Sequence, residues 1–310
     1  MSSPAERFEQ FLKQGGIADL SDRVQLRLTG TDRVRYLNGQ VTINVLRMTP
    51  GEIRPACITT AKGKLCADVF VRAESDGLVI DAEASLKEKL PARLNRYIIA
   101  DDVTIDDLSG QIRLVHLLGP AAARADLAAL PGAAQASRFG PTGLDLRLGS
   151  DEFHRVWDAV SAEAGVLDEA LLESLRIEAG IPRWGFELDE DTLPPEARLD
   201  QTHIDYDKGC YVGQEVISRL KSIGHVNRCL TGFVAATGEP LAAGWRLFDS
   251  DNAAREIGQL TSTAWSFALD RPVALGYLKR GSPTGELLAR AADESGAGRV
   301  VHSRDLPLVS

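Results

Sequence analysis

The reactive chemistry of this chain is concentrated in one run, Asp207-Lys208-Gly209-Cys210-Tyr211-Val212-Gly213-Gln214-Glu215-Val216-Ile217-Ser218-Arg219. Two glycines bracket a cysteine and a tyrosine, which places the thiol on a backbone turn instead of inside a regular element. Lys208 and Arg219 supply positive charge, and a helix is expected to begin near Gly213; both features favour the thiolate, the form that attacks and that binds soft metals. The competing assignment is a buried structural cysteine, since free cysteine is among the most buried residue types.

Two carboxylates stand out next. In Arg176-Ile177-Glu178-Ala179-Gly180 the helix expected over 167–179 carries Leu167, Leu171 and Leu175 as its apolar stripe, and Glu178 falls on that stripe. A carboxylate there either marks a helix end emerging into water or faces an apolar slot and accepts paired hydrogen bonds from a flat heterocycle. Asp68 lies in a strand whose alternation puts Cys66, Asp68 and Phe70 on one face and Leu65, Ala67, Val69 and Val71 on the other, so it reads as a solvent-face residue. Cys57 and Cys66 sit on opposite arms of that hairpin, with packing as their expected role.

The elements that must position these residues follow from periodicity. A short amphipathic helix is expected over 4–15, then a strand over 23–28 leading into a helix with Val34, Leu37 and Val41 on one face. A hairpin over 54–72 turns at Ala61-Lys62-Gly63-Lys64. Beyond it are expected a strand over 77–82, a helix over 85–96, strands over 103–105 and 112–118, an Ala-rich helix over 119–130, and helices over 152–165 and 167–179. Residues 180–207, with Pro182, Pro194, Pro195 and many carboxylates, read as a long loop of the functional or disordered kind. From residue 230 on, six short apolar runs separated by glycines predict a small β-barrel or sandwich.

Composition bounds the function. The 310 residues are 44% hydrophobic and 25% charged, an ordinary globular profile with room for two or three domains. No apolar window approaches a membrane span and the opening residues lack a basic-then-apolar leader, so a cytoplasmic location is expected. A formal charge of -9 argues against direct nucleic-acid binding over the whole surface. The four cysteines and five histidines show no metal-ligand spacing, so no metal site is expected.

The octapeptide Lys208-Gly209-Cys210-Tyr211-Val212-Gly213-Gln214-Glu215 resembles the K-G-C-F/Y-x-G-Q-E signature of the YgfZ-type folate-binding proteins, which are related to mitochondrial iron-sulfur cluster assembly factors. Further similarity lies in Tyr36-Leu37-Asn38-Gly39-Gln40-Val41-Thr42, Ala61-Lys62-Gly63-Lys64, Arg176 to Gly180 and Ala274-Leu275-Gly276-Tyr277. The resemblance runs in order along the whole chain, and the wider superfamily is that of the glycine cleavage aminomethyltransferase, or T-protein.

The resemblance implies an α+β fold: two α/β folate-binding subdomains over 1–224, then a small C-terminal β-barrel over 225–310, around a channel for tetrahydrofolate or a one-carbon derivative. It implies that Glu178 recognises the pterin, with Asp68 and Arg176 lining or bracing the channel. Cys210 is then the functional thiol, Lys208 tunes its charge, and Gly209, Tyr211, Gly213, Gln214 and Glu215 support the loop. The implied function is that of an accessory protein for iron-sulfur cluster assembly or repair and, indirectly, tRNA modification. Its partners would be folate and iron-sulfur enzymes or assembly proteins, with no direct nucleic acid and no membrane.

The alternative is a folate-dependent aminomethyltransferase. Transferases of the superfamily carry G-G-x-x-D-D in the hairpin, whereas here the run is Gly63-Lys64-Leu65-Cys66-Ala67-Asp68, with one carboxylate in place of two. That departure weighs against aminomethyl transfer. A third reading makes the chain an interaction module that has lost folate, with 180–207 as a docking surface.

Overall fold

The structure, a computed structural model, describes residues 4–250, 254–291 and 298–309. The first part of the chain runs α1 (Pro4–Gln14), β1 (Gly16–Asp19), β2 (Val24–Thr29), α2 (Arg33–Gln40), β3 (Ile53–Thr59), β4 (Leu65–Ala73), β5 (Leu78–Ala82), α3 (Lys89–Asn95) and β6 (Thr104–Asp107). It continues through β7 (Arg113–Leu118), α4 (Ala125–Ala128), β8 (Ala133–Ala136), β9 (Gly143–Leu148), α5 (Ser150–Glu163) and α6 (Glu169–Ala179). After a long loop and α7 (Gln214–Ile223) come β10 (Arg228–Ala235), β11 (Arg246–Asp249), β12 (Glu256–Ser266), β13 (Arg271–Lys279), β14 (Glu286–Arg290) and β15 (Arg299–Arg304).

Three sheets result. One has the order β3-β4-β5-β2-β6, a second β1-β7-β9-β8, and the last six strands close into a barrel, β10-β13-β12-β11-β14-β15. Every paired strand in them is antiparallel to its neighbour. This is the expected α+β architecture with a C-terminal barrel. Closure gives every barrel strand a partner on both sides, so the small domain exposes no sheet edge.

Each sheet buries its own apolar face: Leu26, Ile58, Val69 and Ile80 in the first, Val115, Leu117, Leu146 and Leu148 in the second, Phe233, Leu247, Leu260 and Val301 in the barrel. A further cluster, with Cys57, Leu65, Ile177, Leu188, Leu230 and Leu275, draws residues from the hairpin, α6, the long loop and the barrel. That seam fixes the barrel against the rest, since each fully buried aliphatic side chain contributes roughly 1.5–3 kcal/mol. The two N-terminal sheets are tied by a buried arginine. Arg138 forks onto Asp81 of β5 (2.9 and 2.8 Å) and onto Asp145 of β9, whose Oδ1 also lies 2.7 Å from His116 Nδ1.

Several elements depart from expectation. The Ala-rich stretch forms a 3-10 turn, Gly119–Ala123, followed by the single turn α4, because Gly119 sits at φ 63° and Arg124 is extended. The helix expected over 85–96 begins only at Lys89. Strands β1, β8 and β9 add to the expected set. The loop 180–207 is neither open nor irregular throughout: it holds two 3-10 turns, Pro194–Ala197 and Leu199–Gln201, and buries Glu187, Leu188, Thr192 and Leu199.

Candidate functional site

The Arg176-to-Gly180 run has a conformational reason for its sequence. Asp168 caps the start of α6 by accepting from Leu171 N at 2.9 Å, and Gly180 ends it in the left-handed region at φ 75°. Gly180 N donates to Ile177 O and Ile181 N to Arg176 O, the paired bonds of a Schellman ending. A Cβ on Gly180 would meet Leu306 at 2.8 Å, so glycine also lets the C-terminal tail approach. The tail then secures the helix end, with Leu308 N donating to Glu178 O at 2.6 Å.

This ending sets the two motif side chains to different tasks. Arg176 is 2% exposed, and its donors go to both Glu173 oxygens (2.8 and 2.6 Å), Glu187 Oε2 (3.0 Å), Ile181 O (3.1 Å) and Ser262 Oγ (2.7 Å). With all five N–H groups engaged, it braces α6 against the loop and the barrel. Glu178 is 6% exposed and accepts at Oε1 from Ser174 Oγ at 3.1 Å, while Oε2 has no hydrogen bond to a described residue. It lines a cavity of about 1370 Å³.

That cavity lies where the three sheets meet. Its walls come from α1, the β3–β4 hairpin, α6, residues 135–142 and 180–184, and the C-terminal tail at 306–309, and they include the rings of Phe70, Phe139 and Trp184. Asp68 and Phe70 project into it from β4, so the outer face of this strand is a cavity wall and not open solvent. Asp68 Oδ1 is buried without a well-aligned hydrogen bond, although His203 Nε2 sits 3.2 Å away. The register places Cys57 opposite Asp68, and a bulge between Ile58 and Thr59 breaks the alternation at Cys66. Cys57 joins the seam cluster while Cys66 packs on the first sheet's core, so both are free thiols on different faces. Burial pushes the Cys57 thiol well up and raises Cys66 too.

Cys210 lies outside this cavity, in a loop built by three of the sequence motifs together. Lys208, 6% exposed, donates from Nζ to Asn38 O, Val41 O and Ile43 O, each at 2.6 Å, and lies over the Tyr211 ring at 5.0 Å. Burial lowers this ammonium to about 8, and the Asp205 carboxylate opposes that shift. Its hydrogens are committed to the main chain, so it clamps the loop onto the end of α2. Val212 N donates to Gly39 O, and Thr59 Oγ1 donates to Val212 O. Gly213, at φ 88°, is the residue before α7; a Cβ there would stand 2.4 Å from Thr60 O. Gly63 of the hairpin turn packs against Val216 of α7.

The result is a fixed backbone with an outward thiol. Tyr211 is buried with Ile204 and Ile217, whereas Gly209 and Cys210 are exposed. Gln214 and Glu215 open α7 and their side chains make no hydrogen bond or ion pair with described residues, so glycine geometry and main-chain bonds fix the loop instead. Among the described residues no cluster of His, Cys, Asp and Glu is arranged to hold a metal ion. Sequence reasoning missed His203, Glu187 and Trp184, whose roles come from distant partners and have no local signature. It also missed Asp205, which caps Asn44 N at 2.6 Å and forks onto Arg54 at 2.8 Å.

The fold and the central cavity define a class. Residues 4–139 match the GCVT N-terminal domain family and residues 228–303 the glycine cleavage T-protein C-terminal barrel domain. The chain belongs to the glycine cleavage T-protein, or aminomethyltransferase, family. It is 30% identical to an aminomethyltransferase of Herpetosiphon aurantiacus, covering 86% of this chain and 79% of that protein. It is 28% identical to the tRNA-modifying protein YgfZ of Sodalis glossinidius over 74% of each. The crystal structure of the glycine cleavage system aminomethyltransferase T of Bartonella henselae has the same fold, with a TM-score of 0.86 at 22% identity, covering all of this chain and 91% of that one. No helix among the described residues is long and apolar enough to cross a membrane.

Proposed function

We propose that this chain is a tetrahydrofolate-binding accessory protein that supports assembly or repair of iron-sulfur enzymes, and through them tRNA modification, with Cys210 as its working thiol. The observation that carries the folate half is the unengaged Oε2 of buried Glu178 on an aromatic-walled cavity of about 1370 Å³. A pterin presents adjacent N–H donors on a flat ring, which a carboxylate accepts in pairs and aromatic faces stack. Glu178 would hold the pterin, with Asp68 on the same wall and Arg176 fixing the helix that carries Glu178. The thiol half is supported by a loop that Gly213 and the Lys208 clamp hold in place with the Cys210 sulfur exposed. Ligation of a soft metal centre and sulfur exchange are the chemistries open to it, and both act through thiolate.

Calorimetric titration with tetrahydrofolate tests the folate half. Glu178→Gln should weaken binding about 5- to 150-fold, the effect of losing roughly 1–3 kcal/mol at a buried acceptor. Unchanged affinity would remove Glu178 from the site. A second reading, folate-dependent aminomethyl transfer, is favoured by Asp68 on the cavity wall and by the aminomethyltransferase relatives. An assay with aminomethylated carrier protein and tetrahydrofolate separates the two: turnover that disappears in Asp68→Asn would establish the transferase, and the present proposal expects none.

A further inference from the structure

A second large concavity runs along the barrel and adjoins the central cavity, with which it shares Arg198 and Pro307. It measures about 1360 Å³, and Arg198, Arg228, Arg271, Lys279, Arg280 and Arg304 line it, whereas Asp305 is the one carboxylate among its described lining residues. For a chain of formal charge -9 this is a marked concentration of positive charge. Four of the cations already have partners: Arg198 lies 3.6 Å from Asp305, Arg228 2.9 Å from Glu196 and Lys279 3.3 Å from Glu256, and Arg271 donates to Ala236 O at 2.9 Å. Arg280 and Arg304 are exposed and have no ion pair with any described residue. His225 and His302 stand at the same walls.

The rest of the lining is different in kind. Val226, Val234, Leu269 and Leu308 contribute aliphatic surface among the cations, and no Phe, Tyr or Trp is among the described residues that line the groove. A single-stranded nucleic acid uses aromatic platforms for its bases as well as cations for its phosphates, and the acidic remainder of this chain repels a dense polyanion. A cationic groove with aliphatic surface among its charges is complementary to a peptide that alternates carboxylates with aliphatic side chains. The groove is also close to the thiol loop in the chain. His225 and Val226 follow directly on α7, whose ten residues begin just after that loop, a helical length of about 15 Å.

We propose that this groove docks an acidic, leucine-bearing segment of a protein partner, with Arg280 and Arg304 as its free anchoring charges. The proposal does not depend on what the central cavity binds. The test is fluorescence anisotropy with a short fluorescein-labelled peptide rich in Glu and Leu, beside a Lys- and Leu-rich peptide and an oligouridylate of equal length. The acidic peptide should bind the full chain, lose affinity as salt rises from about 50 to 300 mM, and bind Arg280→Glu/Arg304→Glu about tenfold more weakly. The milder Arg280→Gln/Arg304→Gln pair, with circular dichroism and the tetrahydrofolate titration unchanged, separates lost docking from lost folding. Absence of binding to the wild type, or equal binding to the charge-reversed chain, would overturn the docking surface. Tighter, variant-sensitive binding of the oligouridylate would overturn its assignment to a protein partner.

Discussion

Replacing Lys208 by methionine keeps the length and apolar stem of the side chain and removes the ammonium that joins the thiol loop to the end of α2. The three bonds lost run to Asn38 O, Val41 O and Ile43 O, all at 2.6 Å. A hydrogen bond to a charged group contributes roughly 1.5–3 kcal/mol. Against their sum stands the cost of keeping the ammonium buried, visible in its lowering to about 8, which methionine no longer incurs. The balance should be a destabilisation of about 3 kcal/mol, with carbonyl oxygens left unpaired around the Val41–Ile43 backbone. Urea denaturation gives the magnitude. Alkylation of Cys210 followed by mass spectrometry gives the location, since freeing the clamp should change the rate at Cys210 and leave that at buried Cys57 unmoved until global unfolding. A loss below about 1 kcal/mol, with an unchanged Cys210 rate, would refute the clamp.

Gly213→Ala should cost at least about 2 kcal/mol, combining a left-handed backbone with a Cβ 2.4 Å from Thr60 O; a thermal melt matching the wild type would contradict it. Arg138→Met removes the shared cation from two buried carboxylates, leaving Asp81 with Arg23 and Asp145 with His116, and should cost about 3–5 kcal/mol, measured by urea denaturation. The same network sets an acid limit. Burial alone would raise the Asp145 and Asp81 carboxyls, but Arg138 beside both, with His116 and Arg23, holds them below the usual range. The unfolded chain therefore takes up protons first on acidification. The stabilisation is complete above about pH 4 and is lost as pH falls through the lower folded values. A chain whose stability is flat across that window would lack this coupling.

The sequence was most informative where periodicity or a turn residue acts locally. The hairpin, the α6 stripe and the barrel strands were legible because alternation and helical spacing are written in Leu65 to Val71, Leu167 to Leu175 and Leu230 to Val301. Gly180 and Gly213 announced backbone positions that only glycine fills cheaply. The nature of Asp68's face was not legible, because a strand pattern separates its two faces without saying that the second sheet and the C-terminal tail wall in one of them. Cys66 was misassigned for a related reason: the bulge that reverses its face depends on pairing with β3. Lys208 read as a charge for the thiol from its spacing, but its three acceptors lie about 165–170 residues earlier and have no local trace. The alanines of 119–130 suggested a helix by propensity, which Gly119 and the packing around it overrode.

The central claim joins a folate site to a thiol that acts elsewhere on the molecule, and one experiment addresses that separation directly. Cys210→Ser is expressed in a strain lacking the native protein, iron-sulfur enzyme activity is measured in extracts, and tetrahydrofolate affinity is measured on the same purified variant. Cys210 is exposed and lies outside the cavity, so the account predicts unaltered folate affinity with no recovery of iron-sulfur enzyme activity. Full recovery by the serine variant would contradict it.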